Sequence, residues 1–399
     1  MDLLNMEVSS MSGISFDCSC GQKHNVAIGN IRIGSGVINE LPELLRGLEG
    51  KKIFIVADRN TYRVAGTIVE EKLKDGFVLS RFVFEEEHFI PDEKALGRLL
   101  VEIERDTSMI VAVGSGSIND TCRYLSYKLG IPYIIVGTAP SMDGYASVVS
   151  PLIVDNVKVT YNAVYPEAIV ADTDILKEAP MYMLHAGFGD ILGKYTALAD
   201  WHLARTLNKE YFCSAIEELV LKAVDKCVKA ADRIAERDDE TIKSITEALI
   251  FTGLAIGMTG TSRPASGEEH HLSHCWEMIS MNEGRYTKWL HGNNVGVGVG
   301  IIAEAYSFVN NLDIEAVYAT GKYRNLDRNQ WARGLSEVYT RSAASIIKFK
   351  EGSIAFESEQ SEINMKNIMK NWSAIKEICS ELLPNPEVIR GIMKQAGTI

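Results

Sequence analysis

No run of about 18 apolar residues occurs in this 399-residue chain, so no segment reads as a membrane-spanning helix. Residues 1–16 carry Asp2 and Glu7 and lack a basic stretch followed by an apolar one, so a secretory leader is not expected. Cysteine is scarce and odd in number, and seven scattered thiols do not make a disulfide framework. Positive charge is in deficit, 41 Lys and Arg against 53 Asp and Glu. The resulting net charge of -12 and pI near 5.3 argue against a nucleic-acid partner. A local basic pocket for a small anion remains compatible with that balance. Repeats and low-complexity segments are also missing. The expectation is a reduced, cytoplasmic protein with no membrane partner, long enough for two cores.

What is present divides into two parts. Residues 52–58, 109–114 and 133–137 are short β-branched apolar runs, as buried parallel strands require. Helical patterns such as 93–103 lie between them, which predicts a parallel sheet covered by helices. Beyond about residue 174, long amphipathic stretches at 215–235, 239–258 and 294–310 replace the strand signals. A last helical stretch at 372–383 should end at Pro384. The predicted organisation is an α/β nucleotide-binding domain over 1–174 and an all-α metal-binding domain over 175–399.

Gly114-Ser115-Gly116-Ser117-Ile118-Asn119-Asp120 follows a strand and precedes a helix predicted over 120–129. Glycines at such a turn let backbone N–H groups approach a pyrophosphate at the helix N-terminus. Asn119 stands where the dinucleotide fingerprint has a third glycine, and the strand-end acid Asp58 precedes the loop instead of following it. On pattern alone a tight turn fits as well. Thr138-Ala139-Pro140-Ser141-Met142-Asp143 ends the next strand and would lie beside that loop, at the sheet edge where ligands bind.

Histidine is rare, 8 in the chain, yet His270, His271, His274 and His291 cluster in one window. His270 and His274 are four apart and share a helix face, while His271 points elsewhere. Upstream, Gly189 permits a close backbone approach beside Asp190. One carboxylate and two imidazoles would make a three-ligand site with an open position, suited to Zn²⁺, Fe²⁺ or Ni²⁺. Cys18-Ser19-Cys20 and His24 could hold a soft metal, but no fourth ligand is near in sequence. A hairpin tip between 13–17 and 25–33, with Gly21 in the turn, is preferred.

Gly114-x-Gly116-x-x-x-Asp120, Thr138-Ala139-Pro140-Ser141-x-Asp143-Gly144, Gly187-Phe188-Gly189-Asp190, Ser262-Arg263-Pro264-Ala265-Ser266-Gly267-x-Glu269-His270-x-x-Ser273-His274 and His291-Gly292 together resemble the sn-glycerol-1-phosphate dehydrogenase family. More broadly they resemble the superfamily of iron-containing alcohol dehydrogenase, glycerol dehydrogenase and dehydroquinate synthase. The resemblance runs from about residue 33 to 300. It implies a dehydroquinate synthase-like fold with the active site in a cleft between the two domains. It implies NADH- or NADPH-dependent reduction of dihydroxyacetone phosphate to sn-glycerol 1-phosphate, a step in phospholipid biosynthesis. Carried over, Asp190, His270 and His291 would hold the metal, and Asp143, Asp190 and His274 would meet the substrate, with His274 and Asp143 catalytic. Gly116, Ser117, Ile118, Asn119, Asp120, Thr138, Ala139, Pro140, Ser141, Ser147 and Asp58 would line the dinucleotide.

Asp58 favours a free ribose 2′-OH, hence NAD(H) over NADP(H). A phosphorylated triose would need a cation, for which Lys194, Lys158 and Arg263 are candidates. A homo-oligomer is the expected assembly. The main alternative is a glycerol dehydrogenase acting on the unphosphorylated diol. A cyclase of the dehydroquinate synthase type or a silent binding protein rank behind it.

Overall fold

The computed structural model describes residues 6–398 except 87–88, 156, 285–288 and 325–326. A small antiparallel hairpin, β1 (Ser15–Asp17) and β2 (Lys23–Asn25), opens the chain. Next come β3 (Asn30–Gly34), β4 (Lys52–Asp58), α1 (Thr67–Leu73), β5 (Val78–Phe84) and α2 (Glu93–Glu102). They are followed by β6 (Thr107–Gly114), α3 (Gly116–Leu129), β7 (Tyr133–Gly137), the antiparallel pair β8 (Val149–Val154) and β9 (Val157–Asn162), and β10 (Ala168–Asp172). The six-stranded sheet has the order β3-β10-β7-β6-β4-β5 with every pairing parallel.

Strand alternation explains how this sheet is buried on both faces. Ile53, Ile55, Val111, Val113, Ile134 and Val136 pack in one cluster beneath Leu41, Leu45 and α1. The intervening residues Phe54, Val56, Ile110, Ala112 and Ile135 join a second cluster that continues without a break into the helical half. Phe54 is fully buried there, and truncating such a side chain costs about 3–5 kcal/mol.

From Thr173 onward the described regular elements are all helical. The site depends on α4 (Met181–Asn208), α5 (Ser214–Lys229), α6 (Asp239–Thr259), α7 (Glu268–Asn282) and α8 (His291–Asn310). Asp238 caps α6 by accepting from the Thr241 N–H, and Gly260 ends it at φ 66°. By length and composition α6 could cross a membrane, but 83% of its apolar window is buried in the fold.

Three element boundaries differ from expectation. Helix α3 starts at Gly116 instead of residue 120, so the glycine loop is itself the first helical turn. The stretch 215–235 breaks after Lys229 into a 3₁₀ segment. The C-terminal stretch 372–383 is only partly α-helical, and a further helix, Pro386–Gln395, follows it. Asn385 and Pro386 mark that start as cap and first-turn proline.

Candidate active site

Two ingredients meet at the carboxyl edge of the sheet. The chain runs from β4 to β5 on one side, then returns so that β6 lies on the other side of β4. That reversal opens a crevice between the ends of β4 and β6, the usual ligand position in such sheets. Asp58 ends β4, Gly114 ends β6, and Gly114 pairs with Gly137, which brings the Thr138–Ser141 loop alongside. Ser115 caps α3 without a side-chain bond, which leaves the first N–H groups of that helix for an anion.

The expected cofactor residues divide on inspection. Ile118 and Asn119 are fully buried, and Asn119 Nδ2 donates to the Gly144 carbonyl at 3.1 Å, so both pack the loops. Ser147 is buried too and its hydroxyl accepts from the Val149 N–H at 3.1 Å. Asp120 is tied to the buried Arg123 at 2.8 Å, and burial pushes its carboxyl up to about 7. Asp58 Oδ1 accepts from the N–H groups of Asn60 at 2.8 Å and Thr61 at 3.0 Å, so it first serves as a helix cap.

The second ingredient is an acid–imidazole pocket on α4, α7 and α8. Helix α4 reaches it only because it has no side chain at two contacts. A Cβ at Gly187 would sit 1.9 Å from the Pro140 carbonyl oxygen, and one at Gly189 would sit 2.3 Å from that of Gly292. Asp190, fully buried, accepts the Asp143 N–H at 3.0 Å through Oδ2 and lies 3.4 Å from His270 Nε2 through Oδ1. Ligand atoms of Asp143, Asp190 and His270 all lie within 4.8 Å of one another. His291 stands just outside that triplet, its ring 5.2 Å from that of His270 and stacked at 5.1 Å on His274. His271 is exposed, as its position on the helix predicts.

Each ring nitrogen on the far side is held by a glutamate that sequence reasoning did not assign. His270 Nδ1 pairs with Glu269 Oε1 at 2.7 Å, and Glu269 Oε2 accepts from Thr196 Oγ1 at 2.5 Å. His291 Nδ1 pairs with Glu277 Oε1 at 2.7 Å, beside Ser273. Such carboxylates fix ring orientation and tautomer and leave Nε2 for a metal. The sequence signal was present for Glu269, which is adjacent to His270; Glu277, 14 residues from His291, had none. The donors of Asp143, Asp190 and His270, with His291 beside them, therefore suit a divalent ion.

The electrostatics follow from burial and pairing. Burial opposes the Asp190 charge, but the Lys194 ammonium and both imidazoles hold its carboxyl well below the usual range. Burial likewise opposes a charged His270, yet Asp190 and Glu269 raise it to about 9. His274 and His291 are pushed down by burial and by the Lys158 ammonium nearby.

The candidate phosphate cations fare differently. Lys194 Nζ donates to Asp143 at 2.8 Å, Asp190 at 2.9 Å and the Ala265 carbonyl at 2.9 Å, which uses all three of its hydrogens. Arg263 forms a two-point pair with Glu210 at 2.8 and 2.9 Å. Lys158, on β9, bonds Glu277 at 2.6 Å and lies beside the histidine stack.

This sheet and pocket belong to an oxidoreductase acting on CH–OH groups. The family model described as iron-containing alcohol dehydrogenase matches residues 32–180. The solved glycerol dehydrogenase of Schizosaccharomyces pombe has the same fold, with a TM-score of 0.60, 18% identity and coverage of 92% of this chain and 91% of that one. A glycerol-1-phosphate dehydrogenase [NAD(P)+] of Halalkalibacterium halodurans is 40% identical over 323 residues, 80% of this chain and 81% of the relative. Another, of Geobacillus stearothermophilus, is 35% identical over 399 residues, 99% and 89% of the two chains. The chain belongs to the glycerol-1-phosphate dehydrogenase family.

Proposed function

We propose that this protein catalyses the NAD(P)H-dependent reduction of dihydroxyacetone phosphate to sn-glycerol 1-phosphate, a step toward glycerophosphate lipids. The observation that carries the reading is the meeting of Asp143, Asp190 and His270 with the His274–His291 stack at the sheet's carboxyl edge. Two units share the work, 1–174 for the dinucleotide and 175–399 for the metal. The setting is the cytoplasm and the assembly a homo-oligomer. All seven cysteines are free, which fits a reducing compartment.

When bound, the cofactor supplies hydride and a divalent ion in the pocket polarises the ketone oxygen. Zn²⁺, Ni²⁺ and Fe²⁺ all suit one carboxylate and two imidazoles. The chain's own residues orient and exclude. Gly116 and Ser117 offer the dinucleotide their backbone N–H groups, and the loop of Thr138, Ala139, Pro140 and Ser141 lines it alongside. Asp190, held by the Asp143 N–H and by Lys194, serves as the carboxylate ligand and meets the substrate beside Asp143. Asp143 keeps one oxygen for the substrate while Lys194 holds the other. His274, kept neutral by burial and Lys158, accepts the hydroxyl proton in the oxidation direction and, in reduction, relays a proton taken from solvent to the substrate oxygen. Lys194 has no hydrogen left to donate, and Lys158, although paired with Glu277, is the cation beside the histidines and so serves as the phosphate contact.

NADH oxidation by metal-repleted protein, with dihydroxyacetone phosphate and dihydroxyacetone side by side, tests this. Strong preference for the phosphate ester is expected. Lys158→Met should remove that preference by raising KM roughly 10- to 150-fold, the loss of one charge-assisted hydrogen bond of about 1.5–3 kcal/mol. Equal use of both substrates by the unaltered protein would assign a glycerol dehydrogenase instead.

A further inference from the structure

The N-terminal hairpin acquires in three dimensions the partner it lacks in sequence. Cys213, the residue before α5, brings its thiol to the hairpin tip, so that Cys18, Cys20, His24 and Cys213 place their ligand atoms within 4.8 Å of one another. Cys18 Sγ and Cys213 Sγ are 3.6 Å apart; His24 Nε2 is 3.4 Å from Cys20 Sγ and 3.5 Å from Cys213 Sγ.

Those spacings are diagnostic. Two thiolates each about 2.3 Å from a tetrahedral zinc lie about 3.8 Å apart, and a thiolate and an imidazole nitrogen about 3.5 Å apart. A disulfide would need sulfurs at about 2.05 Å. The surroundings are also those of a ligand set. His24 Nδ1 donates to the Met258 carbonyl at 2.8 Å, which leaves the Nε2 lone pair facing the sulfurs. The Tyr211 hydroxyl lies 3.1 Å from Cys20 Sγ, placed to donate to a thiolate. His24 and Cys213 are fully buried, and Gly21 turns the tip at φ 86°.

We infer that Cys18, Cys20, His24 and Cys213 form a closed tetrahedral site for a structural zinc ion, separate from the active-site pocket. Four protein ligands leave no open position, so the ion binds no substrate. It joins the hairpin to the start of α5 and, through His24 and Met258, to the end of α6. The segment leading from α6 to His270 begins at that point, so the zinc braces the approach to the active site without entering it.

The test uses the full chain purified under reducing conditions. Elemental analysis should find about one zinc per chain that survives dialysis against a chelator and is released when a mercurial blocks the thiols. The cobalt-substituted protein should show thiolate-to-metal charge transfer, which Asp143, Asp190 and His270, having no thiolate among them, cannot produce. Cys18→Ser and Cys213→Ser should abolish that band, and His24→Cys should keep it. Absence of thiol-releasable zinc and of the band in the unaltered protein would overturn the assignment. So would a band that survives both serine variants, or a Cys18–Cys213 disulfide found by mass spectrometry. If the serine variants do not fold, the mercurial titration of the unaltered chain decides alone.

Discussion

The sheet edge and the helical pocket meet at Asp143, yet they are built by opposite means. At the edge the working groups are backbone N–H groups at Gly116 and its neighbours, while Ile118 and Asn119 are spent on packing. In the pocket the working atoms belong to side chains, and three of them are locked by another: His270 by Glu269, His291 by Glu277, Asp190 by Lys194. Backbone sites tolerate many side chains and leave faint traces in sequence. Side-chain sites leave strong ones, and they fail abruptly when one member is removed.

That contrast is broken most directly at Asp190. Asp190→Ala takes away a proposed ligand and leaves the buried Lys194 with Asp143 as its carboxylate partner, a loss of up to about 3–5 kcal/mol when one member of a buried charge pair is removed. Steady-state rates should fall by a factor on the order of 10²–10³ or more, with a lower Tm and with NADH binding, read by fluorescence, retained. Near-normal turnover would remove Asp190 from the site. The glutamates come next. Glu277→Gln should weaken metal binding roughly 10- to 100-fold in a chelator competition, and an unchanged affinity would leave Glu277 as a partner of Lys158 alone.

The pocket has a pH signature at a higher pH than that of Asp120 at the sheet edge. With the metal removed, His270 is raised from 6.5 to about 9 in the folded chain. It therefore adds stability that is fully present below the ordinary imidazole range and is lost as pH rises through about 9. Proton and metal compete for the same ring, so metal affinity should rise over the same interval. Thermal melts of chelated protein and metal titrations across that range should move in opposite directions; parallel trends would contradict the pairing.

The smallest effect is expected at the sheet edge. Asp58→Asn keeps the helix cap, since Asn and Asp cap about equally well, and should shift the NADH to NADPH preference only a few-fold. Asp58→Ala would add a capping loss of about 1 kcal/mol. An unchanged cofactor ratio in both variants would confine Asp58 to its capping role.

The sequence by itself carried the local periods. Strands 52–58 and 133–137 are legible because a strand buried on both faces must be apolar throughout, and helix 239–259 because its cap and terminal glycine bracket an apolar run. The spacing of His270 and His274 marks the pocket for the same reason. Contacts between distant segments leave no such period. Nothing near His291 announces Glu277, nothing near Cys20 announces Cys213, and Lys194 looks free until two carboxylates and a carbonyl close around it. Those partners were decided only by tertiary structure, because a buried ion or ligand is satisfied by whatever the fold brings within about 3 Å, at any separation along the chain.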